Sequence, residues 1–245
     1  MTELFSTSTL LLGLGIFVAS TLQSASGIGF GVVAGPLIMM TMNSGAAVQV
    51  SILLSFVIAV LLAPRALRGV DKPLLKRLVI GTLIGAPLGI AAFMVLDLHW
   101  LKLIAAAITT FNVASMMGFW RWQSRASAAK QQTWVGVISG ALSAGLAMPG
   151  PVVAAHLSRT ERTKDEVRSA TLALFLWSYP IAYLAQAVVA SPSPAAMDVT
   201  LQLLPACILG VPAGAWLAGR ISEVVFRRLG VTVMAATAIA LILTA

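Results

Sequence analysis

Long stretches without a charged side chain constrain this chain more than any other feature. No Asp, Glu, Lys or Arg lies between Glu3 and Arg65, Arg77 and Asp97, Lys102 and Arg121, Lys130 and Arg159, Arg168 and Asp198, or Asp198 and Arg220, nor after Arg228. A helix needs roughly 20 predominantly apolar residues to cross hydrocarbon, and most of these gaps are about that long. Soluble domains carry about 25% charged residues. This chain has 10% charged and 59% hydrophobic residues and a mean hydropathy of +0.95. The solvent that fits is a lipid bilayer, which makes the expected fold all-α and polytopic.

The net charge of +8 does not point to nucleic acid, because the Lys and Arg residues sit in short loops between apolar stretches and so act as orientation signals. The lone cysteine, Cys207, lies inside an apolar stretch. It can form neither an intrachain disulfide nor a thiolate metal cluster, and no cofactor or metal is expected. The N-terminus lacks the basic n-region of a cleavable signal, and the apolar run from Leu10 continues past signal-peptide length, so it is expected to remain in the mature protein.

Charge-bounded spans fall at about 78–96, 103–120, 199–219 and 229–245, with two more at about 45–64 and 169–190. The Ser191-Pro192-Ser193-Pro194 segment reads as a surface loop. Two apolar segments are interrupted: 8–42 by Ser26-Gly27-Ile28-Gly29-Phe30-Gly31, and 133–158 by Gly145-Leu146-Ala147-Met148-Pro149-Gly150-Pro151. In a helix interior each glycine costs about 1 kcal/mol and each proline about 3, so each segment is expected to be two short helices joined at a break.

Basic residues tend to stay in the cytoplasm. If 133–158 crossed fully, the clusters around Arg162 and Arg227 would be external. If it dips in and returns, the clusters Arg65 to Arg77, Arg121 to Lys130, Arg159 to Arg168 and Arg220 to Arg228 are all cytoplasmic. Asp97, the proline loop and both termini are then external. The two halves also match in order. Ile28 to Val33 aligns with Met148 to Val153, and Gly85-Ala86-Pro87-Leu88-Gly89 with Gly210-Val211-Pro212-Ala213-Gly214. One hairpin and three spans per half force opposite orientations, so the expectation is an inverted repeat of residues 1–125 and 126–245. Each half is a broken re-entrant helical hairpin followed by three transmembrane helices.

The early Gly27-Ile28-Gly29-Phe30-Gly31 segment, the basic loop after it, the paired Gly-x-Pro-x-Gly spans and a second copy after residue 133 resemble the TauE/SafE family of sulfite and sulfonate exporters. The likeness covers essentially the whole chain. It implies a bacterial cytoplasmic membrane and export of sulfite, sulfoacetate or a related sulfonate. In the second copy this chain reads Ala147-Met148-Pro149-Gly150-Pro151, where the family often carries more glycines.

A broken helix in a membrane exposes backbone groups, and these are tolerated where they are buried or line a watery cavity. The second half-helices start near Phe30 to Val32 and Gly150 to Val152. Their N-termini carry free N–H donors and partial positive charge, which suits an anion without a membrane-embedded lysine. The expected substrate contacts at the breaks are therefore Gly27, Gly29, Phe30, Gly31, Gly150 and Val152, with Gln23, Ser24, Ser26 and Ser143 just before them. Kink-stabilising bonds to neighbouring backbone are the alternative use of those four side chains. Gln49 and Ser51 align with Ser169 and Thr171 at the start of the next helix and supply either further donors or interhelical contacts. Arg168 is either a topological anchor or a guanidinium contact to an oxyanion.

A serine hydrolase would need His156 to reach Ser26. The lone histidine reads better as a polar interface residue, and the chain is not expected to be an enzyme. No carboxylate lies deep in a span, so there is no obvious proton relay. The membrane potential alone releases about 2.3 kcal/mol per 100 mV for each negative charge expelled. The expected function is alternating-access export of a small anion held at mid-membrane between the two half-helix N-termini, with a passive anion channel as the competing possibility. Its partners are that anion and the lipid bilayer. A homodimer stays open as an oligomeric state.

Overall fold

The computed structural model describes residues 7–27, 30–117, 129–160, 162–217, 220 and 222–245. They form helices α1 (Thr7–Ser26), α2 (Phe30–Met42), α3 (Ala46–Ala66), α4 (Lys72–Val95), α5 (Leu98–Met116), α6 (Ala129–Leu146), α7 (Gly150–Leu157), α8 (Lys164–Ala190), α9 (Pro194–Leu217) and α10 (Glu223–Leu243). The architecture is all-helical. Four helices, α3, α4, α8 and α9, are long and apolar enough to cross a membrane. The repeat boundary near residue 125, with Trp120, Arg121, Trp122 and Arg125, lies outside the described residues.

Several helices start earlier than the charge-bounded spans predict. α4 begins at Lys72 instead of near 78, α8 at Lys164 instead of near 169, and α10 at Glu223 instead of near 229. The reason is capping. Asp71 accepts from the Leu74 N–H at 3.0 Å, Thr163 forms a capping box with Glu166, and the Ser222 side chain accepts from the Val225 N–H. A capped first turn satisfies its own donors and tolerates charge at the water interface, so helix length exceeds hydrocarbon length. α9 begins at Pro194, because a proline in the first turn removes no intrahelical bond. The proline loop is thereby shortened to residues 191–193.

Two glycine seams bring backbones together. A methyl group at Gly81, Gly85 or Gly89 of α4 would be driven into the Thr133, Val137 or Ala141 carbonyl of α6, and one at Gly136 or Gly140 of α6 into the Leu78 or Thr82 carbonyl of α4. The contacts advance together along both chains, so α4 and α6 run parallel. α9 lies on α1 in the same manner. A methyl at Gly210 would sit 2.7 Å from the Phe17 carbonyl oxygen, and one at Gly214 would strike that of Thr21. Ser20 Oγ donates to Cys207 O at 2.6 Å and Ser24 Oγ to Val211 O at 2.7 Å along that seam. Lipid gives helices no hydrophobic reason to associate, so small residues that permit close packing and interhelical hydrogen bonds carry the association.

Two further pairs, α3 with α8 and α5 with α10, are antiparallel. Gln49 at the start of α3 donates through Nε2 to Ser191 O and accepts through Oε1 from Ser193 N–H, each at 3.0 Å, beyond the end of α8. Near the other end, a methyl on Gly69 would lie 3.4 Å from Ser169 Oγ. Lys102 of α5 donates to Thr244 O at the end of α10 at 2.8 Å and to Asn43 Oδ1 at 3.0 Å. At the basic end of the bundle Arg162 pairs with Asp71 at 2.6 Å, and Arg77 donates to Gln132 Oε1 at 2.8 Å. The Leu74 N–H and the Arg162 guanidinium hold the Asp71 carboxyl below the usual carboxylate range. Large apolar side chains such as Leu83, Leu88, Leu201 and Leu209 project outward, while Phe30, Phe175 and Tyr179 fill the centre.

The seams generate the first prediction. Gly85→Ala and Gly214→Ala should force their helix pairs apart and lower the melting temperature in detergent, each costing on the order of 1–3 kcal/mol as overpacking does. A methyl at Gly13 meets nothing within 4 Å, so Gly13→Ala should be neutral or stabilising by up to about 1 kcal/mol. Equal melting temperatures for all three variants would show that the seams tolerate separation.

Candidate functional site

The two breaks in the apolar segments end their first helices alike. Gly27 closes α1 with φ +79°, its N–H donating to Gln23 O at 2.7 Å. Ala147 closes α6 with φ +59°, its N–H donating to Ser143 O at 2.9 Å, and the next N–H, of Met148, reaches Leu142 O at 3.1 Å. Left-handed backbone is free to glycine but costs an alanine about 1–2 kcal/mol. The turn at 147 is therefore held by its surroundings.

What holds it is the other break. A methyl at Gly31 would overlap the Ala147 carbonyl oxygen, so the second residue of α2 lies against the turn that precedes α7. Around this contact lies a pocket lined by Gln23, Gly31, Val32, Ala147, Met148, Pro149, Gly150, Pro151, Phe175 and Tyr179. The first turns of α2 and α7 both reach it. Counted as positions open to a water centre, its volume is about 10 Å³, room for a single water. Any oxyanion must widen it.

The polar side chains of the lining are Gln23 and Tyr179, and the backbone supplies the rest of its polar content. Gln23 is 1% exposed, and its Oε1 accepts from the Phe30 N–H at 3.0 Å, capping α2. That bond fixes the amide orientation and leaves Nε2 buried with no partner among the described residues. A buried amide donor without an acceptor costs about 1–3 kcal/mol, and such a group in a native site calls for a ligand or an ordered water. The first N–H groups of α2 and α7 lack intrahelical acceptors. Phe30 N–H is satisfied by Gln23, and Pro151 has no N–H, so the remaining first-turn main-chain donors are those of Gly31, Val32, Gly150 and Val152. Lys and Arg are absent from the lining among the described residues.

The structure brings Gln23, Gly31 and Gly150 together and ties Phe30 to them through its N–H. The others stand elsewhere. Ser24 Oγ is spent on Val211 O in the α1–α9 seam, and Ser143 Oγ donates to Ser178 O at 3.3 Å. Gln49 binds the 191–193 loop. Ser51 and Thr171 bond back to the carbonyls of Ala47 and Val167 on their own helices. The Val152 side chain packs with a second apolar cluster that includes Leu78 and Leu174. Arg168 donates through Nη2 to Ser24 O, near the end of α1, and its stem covers Gly27, where a methyl would fall 2.6 Å from Cγ. Its guanidinium thus meets the negative end of α1. Gly29 and the Ser26 side chain lie outside the described residues, and His156 closes the last turn of α7.

Phe175 was not legible as a lining residue. Its only signal was a helical face shared with Thr171 and Tyr179, four positions to either side on α8. The Phe175 and Tyr179 rings pack at 5.4 Å. Asn112 and Gln186, polar groups inside apolar stretches, donate to Met234 Sδ and Ala144 O.

The abutting breaks predict opposite responses to small changes. Ala147→Gly relieves the left-handed strain against a larger loss of chain entropy and should change stability by no more than about 1 kcal/mol. Gly31→Ala must separate the breaks and should lower both thermal stability and transport in proteoliposomes. A Gly31→Ala protein with wild-type transport would show that this contact is dispensable.

Neither a curated protein nor a solved structure matches this chain. A family model does: the one described as sulfite exporter TauE/SafE matches residues 11–241, which takes in both breaks, both glycine seams and the pocket between them. The chain belongs to the TauE/SafE sulfite exporter family of membrane transporters.

Proposed function

We propose that the protein is a carrier that exports a small sulfur oxyanion, sulfite or a small sulfonate, bound where the first turns of α2 and α7 meet. The observation that carries this is the unpartnered, buried Nε2 of Gln23 in a pocket that also receives two helix N-termini. A neutral amide donor and aligned backbone N–H groups suit a tetrahedral oxyanion, and fixed donors in a dry pocket do not need to reorganise on binding. Membership of the exporter family points the same way.

The inverted repeat, with each hairpin dipping in and returning, is the architecture this mechanism uses. Several contacts support it. α4 lies parallel on α6 as α9 lies on α1, and Gly85 and Gly89 meet carbonyls of Val137 and Ala141 as Gly210 and Gly214 meet those of Phe17 and Thr21. The alignment of the halves pairs Val137 with Phe17 and Ala141 with Thr21. α3 and α8, and likewise α5 and α10, are related by that alignment and run antiparallel. Two halves related in this way can rock about a fixed central site. A pocket with room for one water favours an occluded carrier over an open channel.

Uptake into proteoliposomes of sulfite, methanesulfonate, acetate and chloride tests the substrate class. Saturable flux with counterflow is expected for the sulfur oxyanions, whereas large unsaturated currents would identify a channel. Gln23→Ala should weaken apparent affinity about 2- to 10-fold, corresponding to about 0.5–1.5 kcal/mol for one neutral hydrogen bond. Unchanged affinity in a normally folded Gln23→Ala protein would place the site elsewhere.

Orientation in a bacterial cytoplasmic membrane follows from charge. The Asp71–Arg162 and Arg77–Gln132 contacts gather basic loops at one end of the bundle, which is expected to face the cytoplasm with both termini external. In a Cys207→Ser background, a cysteine at Ser193 should react with an impermeant thiol reagent in right-side-out membranes and one at Arg162 should not. The reverse pattern would invert the topology.

A further inference from the structure

The pocket has a charge capacity as well as a shape. Among the described residues its lining contains no Lys, Arg, His, Asp or Glu. The cations near either end of the bundle are engaged away from it. Arg168 donates to Ser24 O at the end of α1, and Lys102 is tied to Asn43 and Thr244 at the opposite end. The positive potential in the pocket therefore comes from two helix N-termini, each equivalent to roughly half an elementary charge, and the negative C-termini of α1 and α6 at the same breaks oppose it. The pocket balances at most about one negative charge. A second negative charge would enter a low-dielectric site with no counterion, and an uncompensated buried ion costs several kcal/mol.

The lining is also divided chemically. Its donors are the Gln23 Nε2 and the leading N–H groups of α2 and α7; the rest of the lining is the apolar surface of Val32, Met148, Pro149, Pro151 and Phe175 and the phenol of Tyr179. A group with three oxygens and one different substituent matches that division. Four equivalent oxygens do not, because at least one would face apolar carbon and lose its hydration without a donor.

Building on the oxyanion pocket proposed above, we infer that it selects monoanions bearing an –SO3⁻ head, namely bisulfite or a small alkanesulfonate, and rejects dianions such as sulfate and fully deprotonated sulfite. Each turnover then moves one negative charge, and flux is driven by the membrane potential without a coupling ion. Sulfoacetate, with two charges, is the poorest of the family-type substrates for this site.

The test uses the wild-type protein in proteoliposomes with the potential clamped by a potassium gradient and ionophore. Labelled methanesulfonate, whose charge is fixed at one, should be taken up, and sulfate should compete at least ten-fold more weakly than unlabelled methanesulfonate. At constant total sulfite, sulfite flux should fall as pH rises through its second dissociation and track the bisulfite fraction, while methanesulfonate flux stays level over the same range and serves as the internal control. Sulfate competing as well as methanesulfonate, or sulfite flux rising with pH, would overturn the charge selection and leave the oxyanion pocket standing. No flux of either sulfite or methanesulfonate would remove the pocket and this inference together.

Discussion

Hydrocarbon offers no hydrogen-bond partner, so each interruption of a helix inside it must be answered by protein. The chain has two such interruptions, and they are placed against each other. Gly31 lies under the Ala147 carbonyl, Gln23 caps α2 through Phe30, and Ser139 Oγ donates to Pro149 O at 2.9 Å. Most of the polar cost of breaking two helices is met within one small volume. On the proposed function, what is left over, the Gln23 Nε2 and a few main-chain donors, is the raw material for recognising an anion. Fold requirement and binding capacity are therefore two aspects of one arrangement.

That arrangement needs the first helix of each hairpin to be located firmly, and the glycine seams do this. α6 is locked to α4 and α1 to α9 by contacts in which the absence of a side chain lets carbonyls approach. Each helix that leads into a break is thus fixed to a helix distant in sequence. The breaks are positioned by long helices that do not themselves line the pocket. In such a design a methyl group far from the site can be as disruptive as one inside it.

The charge-free runs made the helical membrane architecture legible, and Gly and Pro marked both breaks within a residue or two. Helix starts were misjudged wherever a cap such as Asp71, Thr163 or Ser222 carried the helix past the apolar boundary, because hydropathy reports solvent and capping reports backbone satisfaction. At the site, glycine and Gln23 could be singled out because a break in lipid requires them. Ser24, Ser143, Gln49 and Thr171 carry the same donor groups, yet they are bonded to carbonyls of neighbouring helices, a loop or their own turn. Which of two equally polar side chains is consumed by packing depends on tertiary distances that sequence spacing does not encode. Phe175 was missed for the converse reason, since an apolar residue in an apolar helix carries no mark of the cavity it faces.

The two breaks are not equivalent, and the inequality suggests a division of labour. The first has Gln23 and glycines; the position aligned with Gln23 in the second is Ser143, and the position aligned with Gly31 is Pro151. Ser143 is too short to cap α7 and bonds to Ser178 O instead, while Pro151 removes an N–H and stiffens the first turn. α2 runs for 13 residues and α7 for 8. On the inverted-repeat reading, the first hairpin supplies the side-chain donor of Gln23 beside its main-chain N–H groups, and the second adds only main-chain donors, at Gly150 and Val152, to an apolar wall and the strained turn at Ala147. A symmetric site would offer the substrate the same donors from both sides and hold it through either motion of the halves. An asymmetric one holds it more firmly from the first side. Movement of the second hairpin away from the first would then open the pocket while Gln23 kept its hold.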